Sequence, residues 1–118
     1  MAALTDLTWQ QLADKLPEGA ITATANGSNT IFINVGKIND TVINGLADEG
    51  VIKFFSLLFS AANKAQIEAN SDQADGEKLT AFSPATIGGN ANGYITLTRP
   101  FVCRSELSTA TNIIGTNG

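Results

Sequence analysis

Val51-Ile52-Lys53-Phe54-Phe55-Ser56-Leu57-Leu58-Phe59-Ser60-Ala61-Ala62 is the most apolar run in the chain, and its period decides the class of fold. On a wheel of about 100° per residue, Lys53, Ser56, Ser60, Asn63 and Lys64 converge on one arc of roughly 100°. Apolar side chains fill an arc of roughly 220°, from Leu57 and Ala61 through Leu58 and Val51 to Phe59 and Ile52. The pattern predicts a helix from about 51 to 69, with Gly50 interrupting or bending the chain before it. The run is too short and too interrupted for a bilayer span, which needs about 20 apolar residues.

A helix lying on one sheet needs only about a 100° stripe, so the excess apolar width must be covered by other helices or by a second subunit. The centre of the arc, Leu58, Val51 and Ala62, is expected to face the protein's own sheet. One flank carries Leu57, Ala61 and Phe54; the other carries Ile52, Phe59 and Phe55. One flank is expected to meet the shorter helices and the other a second copy. Leu57, Phe54, Phe59 and Ile52 are therefore the candidate interface residues.

Working back toward the amino terminus, Asn39 or Asp40 can cap a second helix carrying Val42, Ile43 and Leu46. Before it, Ala20–Ala25 and Thr30–Val35 alternate around Asn26-Gly27-Ser28-Asn29, which reads as a hairpin with a tight turn. Period two puts Ile31, Ile33 and Val35 on one face, joined by Ile21, Ala23 and Ala25. Thr8-Trp9-Gln10-Gln11 is a capping box, with Leu7 and Leu12 placed as a hydrophobic staple. It opens a short amphipathic helix over about 8–16 that Pro17 ends.

Toward the carboxyl terminus, strands are expected over about Leu79–Ser83 and Gly93–Arg104, joined by a long Gly88–Gly93 loop. Pro100 lacks a donor, so the last strand is at an edge there, or bulges. The order helix, hairpin, helices, hairpin predicts an α+β fold. It would have a mainly antiparallel sheet of about four strands in two hairpins, with two or three helices on one face. Residues 1–107 make a single domain and 108–118 a polar tail.

The chain has no histidine and one cysteine, Cys103. Most zinc sites, Ser-His and Cys-His nucleophiles and near-neutral proton shuttles use imidazole. No catalytic residue and no metal site is expected, and no cofactor. Cys103 shares the alternation of Ile95, Leu97, Arg99 and Phe101, which predicts a buried, inert thiol. Gly88–Gly93 matches neither a P-loop nor a dinucleotide fingerprint. Ser71–Glu77 fails as a calcium loop, because the twelfth position falls on Phe82. Asn26 and Asn39 head N-x-S/T sequons, but 11 Asn and 13 Thr make such matches expected by chance.

Seven scattered Lys and Arg against a net charge of −4 argue against nucleic-acid binding. The same acidity, with only two lysines on the helix's polar arc, argues against membrane insertion. A lone cysteine and an amino terminus without a leader pattern fit a reducing, cytoplasmic setting. The expected function is that of a non-enzymatic soluble protein acting through self-association or docking to a protein partner. The alternative is a small-ligand-binding domain with a pocket near the 88–93 loop, using Arg99, Tyr94, Asn90 and Asn92. Arg99 is the oddest member. On an apolar face before Pro100 it would turn out to solvent at a bulge, pair internally, or meet an anion.

Overall fold

The computed structural model describes residues 3–23 and 30–103. The Asn26–Asn29 turn, Ala25, Arg104 and the 108–118 tail lie outside them.

The first helix, α1 (Trp9–Ala13), forms where the capping box places it. Gln11 N–H donates to Thr8 Oγ1 at 3.1 Å, and Thr8 N–H donates back to Gln11 Oε1 at 2.8 Å. Two of the orphan donors at the helix start are thereby satisfied. Strands β1 (Ile21–Ala23) and β2 (Ile31–Ile33) pair antiparallel, with Ile21 opposite Ile33 and Ala23 opposite Ile31. This is the shared face expected from the alternation.

The next helix differs from the sequence expectation. It is α2, Val35–Asn39, and not a helix carrying Val42, Ile43 and Leu46. Asn34 caps it by accepting from Lys37 N–H at 3.0 Å. Asp40 then closes it in the left-handed region at φ 55°. Asn34 lies five residues ahead of Asn39, and either asparagine suits a cap. The β-branched Thr41-Val42-Ile43 and Gly45 that follow weaken any helix there. Val42 and Leu46 consequently stand in irregular chain, exposed.

The long helix α3 (Val51–Ala69) begins at Gly50, whose φ of 135° only glycine adopts readily. The Gly50 carbonyl accepts from the Asn39 side chain at 3.0 Å, which ties the end of α2 to the start of α3. Lys15 pairs with Glu68 and fastens α1 to the far end of α3.

After a one-turn 3-10 helix at Asn70–Asp72 the chain builds the second hairpin. Its strands are β3 (Thr86–Ala91) and β4 (Tyr94–Thr98). The expected Gly88–Gly93 loop is thus mostly strand, and the connection shrinks to Asn92-Gly93. Both have positive φ, 56° and 83°, as a type I′ turn requires. The expected strand Leu79–Ser83 survives as a bridge. Phe82 lies opposite Phe101, and Val102 N–H donates to the Ala81 carbonyl at 2.8 Å.

The α+β class and the two antiparallel hairpins stand as the pattern predicts. The described hairpins form two separate two-stranded sheets. The long helix packs on α1 and α2 and on the 79–82 segment. Its buried residues are Ala61, Ala62, Ala65 and Gln66, and Ile38, Ala20 and Leu79 complete the buried apolar set. Among the described residues no large side chain is fully enclosed.

Candidate interaction surface

The flank of α3 where Gln66, Asn70 and Asn63 adjoin Phe59 is where residues 79–82 dock. Gln66 Nε2 donates to the Phe82 carbonyl at 2.8 Å while Phe82 N–H donates to Gln66 Oε1 at 2.8 Å. Asn63 adds a second donor to the same carbonyl at 2.9 Å. One turn further on, Asn70 does the same for both backbone groups of Leu79, each at 2.8 Å. These amides replace the ladder that residues 79–82 lack, so a segment with little strand pairing has its backbone satisfied by side chains.

Arg99 joins this system. Its Nε donates to Ser56 Oγ at 2.8 Å, and the side chain is half-buried. It neither turns out to solvent nor faces a carboxylate in any described ion pair. A neutral hydroxyl on α3 holds it at the foot of the second hairpin. Beside it, Phe59, Phe82 and Phe101 stack, with ring centres 5.8 Å apart for Phe59 and Phe101 and 5.1 Å for Phe82 and Phe101. Phe55 extends the row from Phe59 at 6.1 Å. Such offset aromatic contacts add to simple burial.

The interface candidates separate. Phe54, Leu57 and Phe59 are half-buried, whereas Ile52 is 87% exposed. Bare apolar surface gathers instead at the start of α3 and the chain before it, through Val42, Leu46, Val51, Ile52 and Phe55. Val51, expected at the centre of the buried arc, is exposed; Ala62 is buried and Leu58 half-buried. The reason is position along the helix. Val51 is its first residue, beyond the reach of α1, and Val42–Leu46 does not form the helix that would cover it.

The proposed ligand residues are not brought together. Asn92 sits in the turn at the hairpin tip with Tyr94 beside it, exposed. Arg99 lies five residues beyond Tyr94 at the base, on the order of 16 Å away along a strand. The Asn90 side chain lies outside the described residues, although its backbone belongs to β3. Cys103 is exposed, not buried. The strand alternation that would have buried it stops at Thr98, ahead of Pro100.

The apolar groove between α1 and α3 is bounded by Leu7, Trp9, Leu12, Leu58, Phe59 and Phe82 and measures about 250 Å³. That is below the usual range for a small-molecule site. Among the described residues no cluster of Asp, Glu or Cys could hold a metal, and no helix is long and apolar enough to cross a membrane.

The second hairpin is the other bare region. Ile87, Ile95 and Leu97 share one of its faces, since Ile87 lies opposite Leu97, and all three are exposed. Thr86, Thr96 and Thr98 share the other face. Sequence reasoning read the Ile95 and Leu97 alternation as a strand but took its partner, residues 88–91, for a loop. The signal was present: Asn92-Gly93 is the same dipeptide read as a turn at Asn26-Gly27. No family model, no curated protein and no solved structure matches the chain.

Proposed function

We propose that this protein is a non-catalytic module whose work is done by associating with itself through its uncovered apolar surface. One observation carries the reading. Val51, Ile52, Phe55, Ile87, Ile95 and Leu97 are all exposed in an isolated chain whose buried apolar residues are mostly alanines. Each large apolar side chain brought out of water contributes roughly 1.5–3 kcal/mol, and exposed apolar side chains grouped at the start of α3 and on one face of the second hairpin offer that gain to a second copy. A reducing compartment such as the cytoplasm fits a chain with a single exposed thiol. Sedimentation velocity of the full chain across a hundredfold concentration range tests the reading. A concentration-dependent mass above 12.3 kDa is expected, and a strict monomer throughout overturns it.

A further inference from the structure

Among the described residues no further strand pairs with either edge of the second hairpin, and the two edges are not equivalent. The β3 edge is broken at Gly89, where the register shifts between Gly88 and Asn90 and φ is 58°. A bulge of this kind is one of the devices that stop an edge from pairing. The β4 edge, Tyr94-Ile95-Thr96-Leu97-Thr98, has none of them. It has no bulge, no proline, no glycine and no lysine, and every residue but Leu97 favours strand. No charged side chain lies anywhere between Lys78 and Arg99. In a chain of net charge −4, this is a surface that two copies can bring together without like-charge repulsion.

We propose that β4 pairs antiparallel with β4 of a second copy across a two-fold axis at Thr96, joining two ribbons into one four-stranded sheet. The proposal rests on the self-association reading and names its surface. The ladder supports it. Ala91 and Tyr94 flank a two-residue turn, so Tyr94 bonds inward to β3, and by alternation so do Thr96 and Thr98. The N–H and C=O groups of Ile95 and Leu97 point out along the open edge.

About Thr96, Ile95 of one copy falls opposite Leu97 of the other, and these two residues own the unpaired groups. Hydrogen-bonding parity permits this register, and of the registers that it permits, the one about Thr96 overlaps all five residues of β4. The joined sheet carries Ile87, Ile95 and Leu97 from both copies on a single face. It also reaches the strand number that a two-stranded hairpin lacks for stability of its own.

The test uses the full chain in a Cys103→Ser background. Thr96→Cys places two thiols opposite each other in a pair with Cβ atoms about 4.5–5.5 Å apart, within reach of a disulfide. Mild oxidation is expected to give a covalent dimer at least tenfold faster than for Thr98→Cys, whose partner in the same register is Tyr94. Leu97→Pro removes only an outward-facing donor and is expected to weaken association at least tenfold. Ile95→Lys, which places a charge beside its own copy, is the second variant should the proline disturb the ribbon, and circular dichroism checks that each variant folds.

An oligomeric wild type with no Thr96→Cys preference, or whose association the folded edge variants leave intact, overturns the β4 pairing and spares self-association. A wild type that stays monomeric overturns both, and a cross-link then counts as collision.

Discussion

The two ends of α3 present the same stripe to opposite fates. Val51, Phe55, Ala62 and Gln66 fall within about 60° of one another at 100° per residue. In the carboxyl-terminal half that stripe is sealed, with Ala62 and Gln66 buried. In the amino-terminal half Val51 and Phe55 are exposed. Hydrophobicity does not distinguish them, for the bare end is the more apolar. Anchors do. The sealed end has Asn63, Gln66 and Asn70 to hold a neighbouring backbone at 2.8–2.9 Å, and small alanines that let it approach. The bare end has bulky side chains and, beside it in sequence, an irregular segment in which the Asn44 N–H donates to the Asp48 carboxylate at 2.7 Å.

The largest effect should come from the ring row at the boundary between the halves. Phe59→Ala is expected to cost about 2–4 kcal/mol in urea unfolding, the half-buried end of the range for a lost phenyl ring. Next is Gln66→Leu, which strands the Phe82 N–H while Asn63 still serves its carbonyl. A loss of about 1–3 kcal/mol is expected, with faster amide exchange at Phe82 as the direct readout.

Gly50→Ala should lower the thermal midpoint by an amount matching about 1–2 kcal/mol. An added Cβ would lie 2.9 Å from Asn39 Nδ2, at a φ of 135° that disfavours any side chain. Smallest is Ile52→Glu, which should change the stability of the dilute chain by no more than about 0.5 kcal/mol. A loss above about 2 kcal/mol there would mean that the bare end is covered within the chain, and the contrast between the two halves would collapse.

Local signals were the legible part of this fold. The capping box at Thr8–Gln11, the period of residues 51–69, the alternation of the first hairpin and that of Ile95 and Leu97 each involve neighbours in sequence, and each reappears in the structure. Two failures share one cause. Asn34 and Asn39 are equally good caps on paper, and the choice between them came from the close approach of Asn39 to Gly50. Likewise the wheel separated polar from apolar positions on α3 but could not say that Gln66, inside the apolar arc, and Asn63 and Asn70 at its edge would hold the backbone of residues 79–82. That depended on residues 79–82 having no strand partner for most of their backbone, a deficit visible only once the chain is folded. Of the candidate site, Ile52 was legible as a bare apolar residue. The grouping of Arg99 with Tyr94 was not sound, because it treated β4 as a loop-side cluster when the strand holds the two apart.

Asn39 carries one further consequence. The nitrogen that donates to the Gly50 carbonyl is also the atom to which a glycan would be attached in Asn39-Asp40-Thr41, and the residue is 2% exposed. Folding and glycosylation therefore compete for a single atom. In a cell that glycosylates nascent chains, occupancy at Asn39 would report the fraction still open between α2 and α3 when the transferase passes, and sugar once attached would bar that junction from closing.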